Sequence, residues 1–369
     1  MKRIRFLKHM SRANQAVGTI TSLNDAPWRW TQGIHASLAM GIPVAIFTFA
    51  GQQSYGLIAS LGGFLSLYCA DRTTKERVIA LPFIGLGLLI ASALGILSAF
   101  NEWLTITCLI LVTALSVVFT LGIQLGPPGP IMFILICAVS NHLSAPLRLG
   151  GAAFSGHLIL ILIAIGSVVA YFVVIILSFL IRFKEKGSGV EKSPPLSVDV
   201  YFDRVAGSMA LRVIACVAIA SLISKPLDAH RSYWVVLAAV AVLQGGNNNK
   251  RTTTLRAVER LLGTLLGVVV FEIIALTEPT GLWVVLIIMV LQFATQVVIA
   301  RNYTLALIFI TPLALVTTTI GRITEVSVSV QGRIVDTMSG SIIALLVFWA
   351  GEIILDSLPA SGEIRSEDV

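Results

Sequence analysis

Apolar and polar stretches alternate along the whole chain, and the apolar ones are long. The first half holds six runs, at roughly 32–50, 55–70, 78–99, 103–122, 129–143 and 152–181. The second half holds six more, at about 206–224, 233–246, 256–276, 282–299, 303–320 and 334–356. A helix needs about 20 mostly apolar residues to cross a bilayer, so most of these runs predict transmembrane helices. Period-2 alternation does not recur, which argues against a membrane β-barrel. The expected fold is an all-α polytopic membrane protein with about 12 transmembrane helices. The runs 55–70 and 233–246 are short, which suits spans continued into polar flanks or broken helices lining a cavity.

Composition agrees with the pattern. The 369 residues are 56% hydrophobic and only 12% charged, where a soluble domain carries roughly 25% charged residues. Mean hydropathy is +0.90. The formal charge of +7 is the mark of basic cytoplasmic loops rather than of a nucleic-acid partner. Cys69, Cys108, Cys137 and Cys216 lie in or at the end of apolar runs, with no metal-ligand or CxxC spacing. They read as buried thiols, and neither a metal nor a cofactor is expected.

Polar stretches divide the chain. Residues 1–30 form a basic cytoplasmic segment without the apolar core of a signal peptide. In it Phe6, Met10, Ala13 and Val17 recur at helical spacing, which fits an amphipathic helix on the inner leaflet or a basic tail. A first membrane half at 31–181 leads to a cytoplasmic linker at 182–205, rich in Lys, Ser, Gly and Pro. A second half follows at 206–356, then a polar cytoplasmic tail at 357–369. With the N-terminus inside, the outer loops hold Arg148, Lys225, Arg231, Arg322 and Arg333, and the inner segments hold the other 21 of the 26 basic residues. The positive-inside rule therefore predicts N-in, C-in.

The halves also correspond. Moving Ser54-Tyr55 onto Ser232-Tyr233 brings Leu65 onto Leu243, Thr74 onto Thr252, Gly85 onto Gly263 and Leu88 onto Leu266. Six spans per half is even, so the two copies face the same way, as parallel six-helix repeats. Arg260 falls opposite Pro82, and Asn247–Asn249 fall opposite Cys69, Ala70 and Asp71.

The stretch from Arg231 to Gly267 carries more than hydropathy. Tyr233-Trp234, an apolar span, Gln244, a polar hairpin and Arg260-Leu-Leu-Gly263-Thr264-Leu-Leu-Gly267 together resemble the fusaric-acid-resistance-like (FUSC) family. Asn302-Tyr303 through Thr311-Pro312-Leu313 and Arg333-Ile-Val-Asp336-Thr-Met-Ser-Gly340 are similar to its fifth and sixth spans. That family includes the aromatic acid exporters and is distantly similar to plant aluminium-activated malate channels. The resemblance implies export of small organic anions, typically aromatic carboxylates, across the bacterial inner membrane. It also implies a periplasmic adaptor partner in some systems, and a homodimer in others. It covers 205–356 well and the first half only through the repeat. Many members carry sizeable soluble domains after each half; here the linker and the tail are short.

Arg256, Arg260, Gly263 and Gly267 share one helical face. A guanidinium suits bidentate recognition of a carboxylate, so Arg260 and Arg256 are candidate anion ligands. An ion pair with Glu259 or snorkelling to headgroups is the structural alternative. Gln244, Asn247, Asn248, Asn249, Tyr233, Trp234 and Thr264 complete the candidate substrate site; the asparagines equally suit a plain polar turn. Gly263, Gly267, Gly85 and Gly340 are expected at close helix contacts. Arg333 and Asp336 stand three apart and are expected to pair on one face. Glu272, Gln292, Gln296, His35, His142 and His157 are further polar groups at membrane depth, and Arg212 can snorkel. No Walker lysine motif, HExxH or GxSxG is present, so no enzyme is expected. The expected function is efflux of a small organic anion, proton-coupled or not. The alternatives are an uncoupled anion channel, or a scaffold that binds a partner through basic inner loops.

Overall fold

The computed structural model describes residues 23–123, 125–182, 204–223, 233–245, 250–319 and 326–357. Twelve α-helices lie within these residues, one on each apolar run. They are α1 (Trp30–Phe49), α2 (Gln53–Ser60), α3 (Thr74–Ser98), α4 (Glu102–Gly122), α5 (Ile131–Ser144) and α6 (Gly156–Arg182). The second half holds α7 (Arg204–Ile223), α8 (Tyr233–Gly245), α9 (Lys250–Ala275), α10 (Leu282–Val298), α11 (Tyr303–Thr319) and α12 (Val326–Ser357). No strand occurs among the described residues. The linker at 183–203, the N-terminal stretch 1–22 and the tail from 358 lie outside them.

Helix ends follow local chemistry. Thr73 opens α3 with a capping box: its hydroxyl accepts from the Glu76 amide, and the Glu76 carboxylate accepts from the Thr73 amide at 2.9 Å. Asn101 caps α4, accepting from Trp103 and Leu104, and Asn302 caps α11, accepting from Leu305 at 2.8 Å. Pro43, Pro82 and Pro312 sit inside helices. Such prolines are tolerated in membrane bundles because neighbouring groups re-satisfy the freed carbonyls. The run 55–70 is a broken helix: α2 passes at Leu61 into a 3-10 turn that ends at Leu67.

Most of the helices are apolar on all sides, which is the signature of burial in protein and lipid together. On α3, Leu81, Ile84, Leu88 and Ala91 are buried, while Ile79, Phe83, Leu86, Ile90 and Leu97 are exposed. Five helical stretches are each long and apolar enough to cross a bilayer: Trp30–Phe49, Thr74–Ser98, Glu102–Thr120, Gly156–Leu180 and Val330–Ile353. The chain is therefore a multi-pass membrane protein. The shorter α5, α8, α10 and α11 are apolar but rest on neighbours for their depth in the bundle. α9 is 26 residues long but carries Arg256, Glu259, Arg260 and Glu272.

Packing repeats between the halves. In the first, α1 lies on α2 and α6, the broken helix lies on α6, and α3 lies on α5 and α6. In the second, α7 lies on α8 and α12, α8 on α12, and α9 on α11 and α12. The halves join by the first helix of each against the fourth of the other, α1 on α10 and α7 on α4, with α5 on α8 between them.

Candidate functional site

The equivalent interfaces α3–α5 and α9–α11 are built from different chemistry. Across α3–α5 the polar groups are satisfied. Asn141 donates through Nδ2 to the Gly95 carbonyl, the Ser98 hydroxyl and the Thr105 hydroxyl at 3.0–3.1 Å, and the Ser92 and Ser140 hydroxyls bond at 2.8 Å. Across α9–α11 the helices close on glycine. A Cβ on Gly263 would stand 2.5 Å from Leu307 Cβ, and one on Gly267 would stand 2.7 Å from Thr311 Cβ. That approach draws Arg260, one turn before Gly263, onto Tyr303 at the start of α11.

Arg260 is 6% exposed. Its Nη1 donates to the Tyr303 hydroxyl at 2.8 Å, and its Nε is buried without a partner. Arg256, one turn earlier, lies over the Tyr303 ring at 4.6 Å and donates to Glu259 at 3.3 Å. Thr264, one turn later, is buried. A third guanidinium approaches from α12. Arg333 is 3% exposed, lies over the Trp234 ring at 3.8 Å, and also has a buried Nε without a partner. It stands within electrostatic reach of Arg260, Tyr233, Asp336 and Tyr303. Tyr233 and Trp234, at the start of α8, are packed ring on ring at 4.9 Å, and Tyr233 meets His142 of α5.

Some expectations need correction. Arg333 is not an outer-loop residue, because α12 begins at Val326 and takes it inside the helix. Its guanidinium lies over the flat face of Trp234 on α8, with the Asp336 charge within electrostatic reach. Gly340, two turns on, packs against the Val235 carbonyl and Ala238 of the same helix, and this closeness brings the ring within reach. Gly85 is not a close contact: a Cβ there would meet only the flexible end of Leu65, at 3.5 Å. Gly87 does sit at a close one, with Phe133 2.9 Å from its Cβ position.

The other candidates are spread out. Gln244, at the far end of α8, has an amide nitrogen buried without a partner, and its side-chain oxygen lies 3.7 Å from where a Gly129 Cβ would be. It is not in the arginine cluster. Asn247, Asn248 and Asn249 lie outside the described residues. Gln292 is buried with its amide nitrogen unpartnered, and His35 is buried with neither ring nitrogen bonded; both belong to α10 and α1. Glu272 and His157 are exposed. Arg212 does not snorkel. It donates to Glu352 at 2.7 Å and lies over Phe348, while Lys250 reaches the other Glu352 oxygen at 3.4 Å. This knot ties α7 and α9 to the end of α12. An apolar groove of about 420 Å³ between α3 and α6 is lined by Leu89, Ile90 and Ile161 among other apolar residues.

Arg256, Arg260 and Tyr303 thus form one contact group between α9 and α11, and Arg333, Trp234 and Tyr233 a second between α12 and α8, near enough to act on each other electrostatically. Among the described residues, three guanidiniums gather against two carboxylates, Glu259 and Asp336, so the cluster carries one positive charge in excess. A buried charge costs several kcal/mol unless it is paired. Two bare Nε–H groups beside that excess charge favour an anion. No group of three or more His, Cys, Asp or Glu side chains that could hold a metal occurs among the described residues. The sequence shows Tyr303 and Arg333 but not their roles. The arginine sits just ahead of an apolar run, in a polar stretch with no helical periodicity of its own.

The family-model match falls on the half that holds this cluster. Residues 214–347 match the family model described as "Fusaric acid resistance protein-like". The chain is similar to "Uncharacterized membrane protein YvaC" of Bacillus subtilis (strain 168), 33% identical over 119 residues, which are 32% of this chain and 19% of that protein. It is also similar to "Uncharacterized protein ORF2" of Neisseria gonorrhoeae, 31% identical over 138 residues, 37% of this chain and 31% of that protein. The chain thus covers less than a third of the length of either relative. No solved structure matches it.

Proposed function

From the premise that residues 214–347 form a fusaric acid resistance protein-like module, we propose that this protein exports small organic monoanions, aromatic carboxylates foremost, across a bacterial inner membrane. The family is one of membrane transporters rather than enzymes. One observation carries the reading: Arg260 and Arg333 are both buried, both present an unpartnered Nε, and lie within electrostatic reach of each other. A stability-driven core would have paired them, as it paired Arg212 with Glu352. The guanidiniums favour a carboxylate. The rings of Trp234, Tyr233 and Tyr303 supply flat apolar walls of the kind that suits an aromatic body. The basic residues support an N-in, C-in orientation, in which α9 begins at the cytoplasmic face.

The test is benzoate flux in liposomes that hold the purified protein. Wild type should move benzoate, and Arg260→Ala and Arg333→Ala should each lower the flux at least about tenfold, the loss of one charge-assisted contact. Flux that both variants leave intact would sink the site. An imposed pH gradient in the same assay separates exchange from channel-like conduction. Flux indifferent to the gradient makes the protein an uncoupled conductor. No flux from wild type, with partner binding lost in Arg260→Ala, would favour the scaffold.

A further inference from the structure

Residues 24–29 precede α1 and, with Trp30 at its start, lie across the end of the bundle where α10 gives way to α11. The contact is specific. The Asn24 amide donates to the Arg301 carbonyl at 2.9 Å, and Arg301 Nε donates back to the Asn24 carbonyl at 2.9 Å. The Arg301 guanidinium lies over Trp28 at 4.2 Å. Trp28 stacks on Trp30 with centroids 5.8 Å apart, and Trp30 meets Phe293 of α10 at 6.0 Å. Arg29, between the two tryptophans, bonds Asp71 at 3.1 Å in the turn before α3. The segment is therefore fastened to both halves, to the first through Asp71 and to the second through Arg301.

Arg301 stands two residues before Tyr303. The turn it belongs to is short and held at both ends: the Arg301 and Asn302 amides both donate to the Val298 carbonyl, and the Asn302 side chain caps α11. A shift of Arg301 is passed along this turn to the first residue of α11. That residue supplies the hydroxyl that takes the Arg260 hydrogen bond and the ring beneath Arg256. Resting on the anion-site reading above, we propose that Arg301 is a positioning residue of the arginine site, held by the 24–30 segment so that Tyr303 keeps Arg260 and Arg256 in place. Arg301 touches no anion. It acts through Tyr303, and so on how tightly the site binds rather than on how fast it turns over.

The experiment uses the full-length protein in liposomes with benzoate as probe. Arg301→Ala should raise the KM for benzoate about five- to tenfold, the equivalent of one hydrogen bond, with kcat little changed. Arg301→Lys keeps a cation over Trp28 and should recover part of the loss, and Trp28→Ala should move KM in the same direction. An unchanged KM in Arg301→Ala, or a loss confined to kcat, would overturn the proposal. A second readout needs no transport. Amides at 299–307 should exchange hydrogen about fivefold faster or more in Arg301→Ala, while those of α5 stay at the wild-type rate; unchanged exchange at 299–307 also overturns it. Should Arg301→Ala loosen α5 as well, Trp28→Ala becomes the deciding variant under the same criteria. Wild-type flux in Arg260→Ala would condemn the anion site itself, and the exchange measurement would still judge the clamp.

Discussion

Replacing Arg333 by methionine separates a functional cation from a structural one. The side chain is 3% exposed, and its Nε has no partner. Removing a cation of this size from water costs several kcal/mol even after relaxation. The flat stacking on Trp234 at 3.8 Å returns about 2 kcal/mol in a desolvated setting, and the Asp336 charge returns a further share. Arg260 within reach acts against both. Methionine keeps the unbranched length, and its sulfur can rest on Trp234 for about 0.3–1.5 kcal/mol. The balance favours the variant, as when buried ions elsewhere give way to apolar groups of similar volume, by about 1–3 kcal/mol. The assay is equilibrium unfolding in detergent, with and without benzoate. Without anion, Arg333→Met should be as stable as wild type or more so. At a hundredfold excess over Kd, benzoate should stabilise wild type by about 2.7 kcal/mol and the variant hardly at all. A variant about 3 kcal/mol less stable than wild type that still responds to benzoate would refute the reasoning, because Arg333 would then be a satisfied structural cation.

Gly267→Leu should lower stability by about 1–3 kcal/mol or more, because its Cβ would meet Thr311 Cβ at 2.7 Å and the Leu307 carbonyl at 2.9 Å. Gly332→Ala, inside α12 with nothing within 4 Å of the new atom, should be neutral or gain up to about 1 kcal/mol; thermal unfolding of the pair reads the difference, and equal losses would contradict the close contact. Glu352→Gln should cost about 1–2 kcal/mol, since it strips the charge from the partner of a buried Arg212, discounted for a carboxylate side chain that is 21% exposed. Lys250→Gln should cost much less, its side chain being 47% exposed; a larger loss for Lys250 than for Glu352 in the same unfolding assay would reverse the roles assigned within the knot.

Hydropathy by itself determined the helices. An apolar stretch of sufficient length has one low-energy state in a bilayer, with its backbone bonded to itself, so each apolar run became a helix whatever its neighbours. The alignment of Tyr55 with Tyr233 likewise foretold that the two halves would pack alike, because similar apolar faces seek similar partners. The run 55–70 was legible as short, which left open a span continued into polar flanks or a broken helix, and the structure has the second.

Polar partnership was not legible. Arg212 and Glu352 are 140 residues apart, and Arg260 and Tyr303 are 43 apart. Nothing in the local chain says that either pair will meet. Arg333 shows the limit most plainly. Its spacing to Asp336 is local and readable, but the ring of Trp234 under its guanidinium, brought by the approach of α8 at Gly340, is not. Where side chains carry charge, the partner is chosen by whichever helix comes close enough to desolvate both groups, and that is a property of packing. The sequence thus determined a repeated helical membrane bundle with a family signature in its second half. Only the tertiary structure decided that two of its arginines would be buried together with bare N–H groups, and that the stretch before the first helix would reach across to hold the turn beside them.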